Sequence, residues 1–364
     1  MKREAKFTVL FLAVVFLGFA VLCWVNPSKE YSKTERRKLS RFPKITAASI
    51  ESGKFMTEFE DYALDQFPFR EEFRSLKAWI SQSVFRKGDN NEIYVAEEYA
   101  VKMEYPLNED SLAHAGEKFG HIYEKYLKES GGEIYLSLIP DKNYFLAKSS
   151  GHLSMDYSLL YDRMQEAMPY ARYVEIRDLL SIEDYYKTDV HWRQENIVDI
   201  AQRIGSAMGI DVSGNFEKHS LAEPFFGVYF GQSALKLPGE PLYYLTNPAI
   251  EQCRVYNYEN NQTTAVYNLE KEQGNDPYEI FLSGPVSLMK IENPGASTEK
   301  ELIVFRDSFG SSLIPLLAEG YQSVILIDIR YIQSDFLENF VDFRGKDVLF
   351  LYSTLILNHS ETLK

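Results

Sequence analysis

The feature that most constrains this chain is an alternation in which short, largely apolar runs end in a polar turn and hand over to helical periodicity. Glu133 to Ile139 reads as a buried strand stopped by Pro140-Asp141-Lys142, and a helix over Tyr157 to Met168 precedes a short strand at Tyr173 to Ile176. The pattern returns near the C-terminus as strand Glu301 to Phe305, helix Phe309 to Ala318, strand Ser323 to Asp328, helix Asp335 to Phe340 and strand Val348 to Tyr352. Strands buried on both faces read as continuous apolar runs, and strands separated by helices build a largely parallel sheet. The spacing therefore predicts an α/β fold, with ligands beyond the carboxyl ends of the strands, where Asp141, Lys142 and the segment around Asp189 fall.

Other stretches fit less regularly. Leu112, Phe119, Ile122, Tyr123, Tyr126 and Leu127 mark an amphipathic helix ended near Gly131-Gly132, and Ile197 to Met208 another closed by Gly209. Phe55, Phe59 and Tyr62 share a helical side; beyond Asp65-Gln66-Phe67-Pro68-Phe69-Arg70, the residues Phe73, Leu76, Ile80 and Val84 resume a stripe, read as core packing. Residues 211–299 are rich in Gly, Pro, Asn and Tyr; Thr264 to Tyr267 and Tyr278 to Leu282 look like strands, so this region reads as a mostly β insertion.

Phe7 to Val25 is nineteen residues without a charge, preceded by Lys2, Arg3 and Lys6 and closed by Asn26-Pro27. A helix of that length just crosses a hydrocarbon core, and no small-residue cleavage site precedes Pro27, so residues 1–27 read as a cytoplasmic tip and an uncleaved signal anchor. Residues 28–50 read as a basic linker, whose Lys33, Arg36, Arg37, Lys38 and Arg41 also suit anionic headgroups, and residues 51–364 as the catalytic domain. Long domains translocate largely regardless of such flanking charge, which makes this a single-pass cell-membrane protein with an extracytoplasmic body. Residues 1–44 hold ten Lys/Arg against three Asp/Glu, so the remaining 29 basic and 50 acidic residues leave the body at −21, a poor match for nucleic acid. Four of the six histidines, His114, His121, His152 and His219, show no Cys/His/Asp spacing typical of a zinc site, and neither metal nor cofactor is expected.

The candidate chemistry lies in two pieces. In Thr188-Asp189-Val190-His191-Trp192, Asp189 and His191 stand two apart and share a side if the segment is extended. An aspartate there accepts the Nδ1 proton and leaves Nε2 as a general base. The candidate nucleophile is Ser308, where the apolar run Leu302 to Phe305 turns through Arg306-Asp307 into a helix. Its hydroxyl would stand at the sheet's C-terminal edge, with the backbone N–H groups of Phe309 and Gly310 as unpaired donors for an oxyanion. The same residues admit plainer roles: Ser308 as an N-cap, Asp307 as a helix-start charge, Asp189 and His191 as a salt bridge or satisfied core pair. Arg330 and Tyr331 fit an ion pair or a substrate clamp, and Lys142 a solvated loop charge or site support.

These motifs, with Glu35-Arg36-Arg37-Lys38-Leu39, Phe42-Pro43, Ser52-Gly53-Lys54-Phe55, Asp65 to Arg70, Asp307-Ser308 and Asp328-Ile329-Arg330-Tyr331, resemble in order and spacing the DHHW family. That family is related to the alginate O-acetyltransferase accessory proteins and, more distantly, to SGNH hydrolases. The resemblance implies a three-layer SGNH-hydrolase-like domain, with Asp189, His191 and Ser308 as a triad whose order is permuted relative to hydrolases that begin with the serine strand. Val190 stands where the eponymous second histidine can occur. The implied activity is a membrane-anchored O-acetyltransferase acting on a cell-surface or secreted polysaccharide, served by a multipass membrane O-acyltransferase that delivers acetyl groups. The aromatics of the 211–299 region fit either sugar contact, since stacking on Tyr or Phe does not require opposite charge, or ordinary β packing. The alternatives are a carbohydrate acetylesterase using the same triad and a non-catalytic polysaccharide-binding or assembly factor.

Overall fold

The computed structural model describes residues 3–296 and 298–364. Met1 and Lys2, which open the expected cytoplasmic tip, and Ser297, within the expected insertion, lie outside the described residues. The chain forms two compact units, one of residues up to Asn91 with Phe230–Lys236, the other of Glu92–Tyr229 with Leu237–Lys364.

The larger unit is built on an eight-stranded sheet. In chain order its strands are β1 (Ile134–Ile139), β2 (Arg172–Tyr173), β3 (Arg254–Asn257), β4 (Gln262–Thr264), β5 (Leu288–Glu292), β6 (Glu301–Arg306), β7 (Ser323–Ile327) and β8 (Asp347–Ser353). Their spatial order is β4-β3-β5-β7-β6-β8-β1-β2. The five strands from β7 to β2 run parallel, while β5 pairs antiparallel with both β7 and β3, and β4 pairs antiparallel with β3. In β6, Leu302 and Val304 join the core on one face and Ile303 and Phe305 the core on the other. The helices Val198–Ala207 and Gly310–Leu317 cover the first face; Glu109–Ile122 and Tyr157–Ala167 cover the second. Three layers result because a strand with both faces apolar needs a cover on each.

The 211–299 region departs from the expectation of a mostly β insertion. Its strands β3, β4 and β5 extend the central sheet, while Glu217–Ser220 pairs with Tyr243–Thr246 apart from it and single bridges join Phe225 to Glu240 and Tyr267 to Phe281. Thr264 ends a strand and does not begin one, and Tyr278 lies in the 3-10 turn Pro277–Ile280. The stretch near Asp335 is likewise a 3-10 helix, Ser334–Asn339. A helix missing from the sequence reading, Lys142–Ser150, follows β1 directly, capped by Asp141 accepting from the Asn143 N–H at 2.7 Å.

In the smaller unit, α1 (Arg3–Val25) is long and apolar enough to cross a membrane and none of it is buried. It is followed by α2 (Ala47–Glu51), α3 (Lys54–Asp65) and α4 (Arg70–Ser83). The stretch read as a linker carries a two-stranded hairpin, Tyr31–Ser32 with Arg37–Lys38. Its charges enter a cluster: Arg37 holds Asp65 through Nη1 at 2.9 Å, Glu35 receives Arg70 at 2.5 Å and Arg74 at 3.2 Å. The apolar stripe of α4 does not pack in a core. Phe69, Phe73, Leu76 and Val84 are each about half exposed, and the inward side of the helix carries Arg70, Arg74, Ala78 and Ser81.

The Arg37 guanidinium, with the Ser40 N–H at 2.8 Å, holds the Asp65 carboxyl down to about 2. A carboxylate depressed in the folded state stabilises fully above its unfolded value of 3.8 and loses that contribution as pH falls toward about 2. Asp65→Asn should therefore lower stability above pH 4 by on the order of 1–2 kcal/mol and flatten the loss between pH 4 and 2, read by denaturant titrations across that range.

Candidate active site

The site forms where β6 ends. Asp307 folds back on the turn: its Oδ1 accepts the Phe309 N–H at 3.0 Å and its Oδ2 the Ser353 N–H at 2.7 Å, tying the turn to the end of β8. Asp307 is thus a clamp within the fold. Ser308 sits on the turn, partly exposed, ahead of the Gly310–Leu317 helix. The expected oxyanion donors need correction, because the Phe309 N–H is taken by Asp307 Oδ1 and the Gly310 N–H by the Asp307 carbonyl at 3.2 Å. Among the described residues the Ser308 N–H has no acceptor.

Asp189 and His191 arrive on a loop closed by a bridge between Tyr185 and Trp192 and by the Tyr186 N–H on the His191 carbonyl at 3.1 Å. The segment bends instead of running extended. Asp189 Oδ1 accepts both the His191 backbone N–H at 3.1 Å and the ring Nδ1–H at 2.6 Å, so a turn and not strand alternation brings the pair together. The Val228 N–H donates to Asp189 Oδ2 at 2.8 Å. His191 Nε2 then lies 2.8 Å from Ser308 Oγ. Asp189 and His191 are both buried, and Val190 points to a separate apolar cluster with Ile93, Ala100 and Tyr229.

Residues that the sequence gave no local sign of hold this arrangement. Tyr278 stacks on the His191 ring at 3.9 Å and 6°, and its hydroxyl donates to Ser312 Oγ at 2.9 Å. The Trp192 indole N–H reaches the Phe309 carbonyl at 3.1 Å and Ser312 Oγ at 2.9 Å, joining the histidine loop to the serine turn. Glu240, buried, accepts the Thr188 N–H at 3.0 Å. At Gly227 a Cβ would lie 2.3 Å from Asp189 Cα, so only glycine fits there.

Lys142 is not a solvated loop charge. It begins the Lys142–Ser150 helix, is buried, and donates from Nζ to the carbonyls of Tyr186 at 2.9 Å and Lys187 at 3.3 Å, just ahead of Asp189. Burial pulls its pKa down to about 7, against the opposing pull of Asp189, Glu240 and Asp141. Arg330 is bound to Asp328 through Nε at 2.8 Å and Nη2 at 2.6 Å, and Tyr331 is half exposed beside it. No hydrogen bond joins Lys142, Arg330 or Tyr331 to His191 or Ser308 among the described residues. No group of three His, Cys, Asp or Glu is placed to hold a metal ion among the described residues. Of the aromatics in 211–299, Phe225, Tyr229, Tyr278 and Phe281 are buried, which removes those four rings from stacking on a sugar.

No family model and no curated protein matches the sequence. Solved structures do. A DHHW family protein from Eubacterium siraeum DSM 15702 superposes with a TM-score of 0.60 at 16% identity, over 75% of this chain and 95% of its own. Bacillus cereus PatB1, with a sulfonyl adduct, gives a TM-score of 0.58 at 17% identity over 73% and 95%. The chain has the fold seen in the DHHW family. The O-acetyltransferase domain of Pseudomonas putida AlgJ overlaps at 12% identity over 73% and 92% with a TM-score of 0.43, too loose to bear on the DHHW fold assignment.

Two substitutions probe how this DHHW-fold site is held. Gly227→Ala should displace Asp189 and destabilise the protein by about 1–3 kcal/mol in thermal or denaturant unfolding, the usual range for overpacking. A lysine whose folded pKa lies below its unfolded value burdens the folded state fully below about 7, and the burden lifts as pH rises toward 10.5. Lys142→Met should remove that rise, leaving stability between pH 7 and 10 flatter than in the wild type.

Proposed function

We propose that this chain is a membrane-anchored, extracytoplasmic Ser-His-Asp O-acetyltransferase acting on a cell-surface or secreted polysaccharide. The observation that carries the reading is the unbroken line from Asp189 Oδ1 to His191 Nδ1 at 2.6 Å and from His191 Nε2 to Ser308 Oγ at 2.8 Å. Asp189 holds the imidazole with its proton on Nδ1, so Nε2 is the acceptor that faces the hydroxyl. His191 takes the Ser308 proton as Oγ bonds to the acetyl carbon, and the same proton goes to the departing donor group. A sugar hydroxyl then gives its proton to His191 and attacks the acetyl-serine ester, and the proton returns to Ser308 Oγ as the ester breaks. The Ser308 N–H, which has no acceptor among the described residues, is a donor available to the oxyanion in both steps. The DHHW-like motifs and the fold shared with PatB1, a protein seen with a sulfonyl adduct, agree with a nucleophilic site.

The anchor would be α1, and the acetyl donor would be delivered by a multipass membrane O-acyltransferase. Ser308 is partly exposed, so water can compete with the sugar, and an acetylesterase is the second reading. Intact-mass analysis of the full chain after exposure to an activated acetyl ester should find one added acetyl group that is absent from Ser308→Ala and His191→Ala. Asp189→Asn should slow acetylation by about 10⁴-fold, as in protease triads. Transfer of the acetyl group to an oligosaccharide supports the transferase, and release as acetate despite the acceptor supports the esterase. A folded wild type that takes no acetyl group would overturn both.

A further inference from the structure

Helix α4 is inside out for a protein surrounded by water. Phe73 and Leu76 within it and Phe69 and Val84 at its two caps are 45%, 49%, 57% and 59% exposed, Trp79 beside them is 57% exposed, and Ile80 is half-buried. The opposite side, which faces the rest of its unit, carries Arg70 and Arg74, both bound to Glu35, and the small residues Ala78 and Ser81. An amphipathic helix normally turns its apolar stripe inward, because burial gains about 25 cal/mol per Å² of apolar surface removed from water. The reverse orientation is stable only where something other than water covers the stripe.

The occupant is indicated by α1. Phe19 of α1 stacks on Phe67 at 5.5 Å and meets Phe73 at 6.0 Å. Phe19 lies six residues before the end of α1 at Val25, about 9 Å along the axis. If α1 spans a bilayer, rings that touch Phe19 are at the depth of the acyl chains, and Phe73 belongs to the exposed stripe. We propose that α4 and the Phe67–Phe69 turn lie in the membrane interface beside α1, with Phe69, Phe73, Leu76, Trp79 and Val84 set among lipid acyl chains. The surroundings match an anionic lipid surface: residues 28–50 hold seven Lys/Arg against two Asp/Glu, of which Arg37 is paired with Asp65 and Arg41 with Glu30, and Trp24, 91% exposed, stands at the end of α1 where interfacial aromatics gather. An interfacial helix buries its apolar face to a depth of about 5–10 Å, which the contact with Phe19 supplies. The proposal rests on reading α1 as a membrane span.

The chain has three tryptophans, Trp24, Trp79 and the fully buried Trp192, which allows the two claims to be separated. Full-length protein is placed in nanodiscs of phosphatidylcholine and phosphatidylglycerol, with and without brominated acyl chains, and its tryptophan emission is compared. Trp24→Phe should still lose emission in brominated discs through Trp79, Trp79→Phe through Trp24, and the double variant should lose none. Quenching in Trp79→Phe without quenching in Trp24→Phe would leave the anchor inserted and overturn the interfacial placement of α4. In that case, shielding of Trp79 from acrylamide would mark a protein partner or a second copy in place of lipid, and accessibility to acrylamide would mark open water. Absence of quenching in both variants would remove the membrane reading of α1 and the proposal with it.

Discussion

The arrangement of the site depends on one hydrogen-bonding side chain, the indole of Trp192. Its N–H is shared between the Phe309 carbonyl and Ser312 Oγ, one residue and four residues beyond Ser308. A buried indole N–H without a partner loses about 1–3 kcal/mol of stability, so the loop bearing His191 is held where that donor can be satisfied. Because Trp192 follows His191 directly, satisfying the indole also sets the distance between the imidazole and Ser308. Tyr278 adds to the same lock by covering the His191 ring and donating to the same Ser312 hydroxyl.

Around that lock the polar groups are buried and paired in sequence from the outside inward. Lys142 bonds the carbonyls of Tyr186 and Lys187, Glu240 bonds Thr188, and the Gly227–Val228 backbone lies against Asp189 at a distance that leaves no room for a side chain. Each contact limits where the Asp189 carboxylate can sit. On the serine side Asp307 does the corresponding work, spending both of its oxygens on the turn and on the end of β8. A consequence is that the Phe309 and Gly310 N–H groups are occupied, while among the described residues the Ser308 N–H has no acceptor.

The sheet was readable because a strand buried on both faces is apolar along most of its length, as Leu302–Phe305 in β6, Val324–Ile327 in β7 and Val348–Tyr352 in β8 are. The pairing of Asp189 with His191 was readable from their spacing, although the turn that joins them is a different geometry from the extended segment that spacing suggests. Tyr278, Gly227 and Glu240 left no local signal, since each is far from residues 188–191 in the chain and meets them only after folding. The place of the 211–299 strands was not legible for a related reason: β3, β4 and β5 are short and interrupted, and nothing local shows that they extend the main sheet.

Helix α4 marks the division most clearly. The three-to-four spacing of Phe73, Leu76, Ile80 and Val84 determined by itself that a helix would form with one apolar side. It did not determine which way that side would face, because periodicity describes a helix alone and orientation depends on what lies against it. The tertiary structure turned Arg70 and Arg74 toward Glu35 and left the rings outward. The same holds at the site: the chain alone specifies a carboxylate, an imidazole and a hydroxyl with their local turns, and only packing across more than a hundred residues of sequence brings Ser308 to His191, 117 positions away.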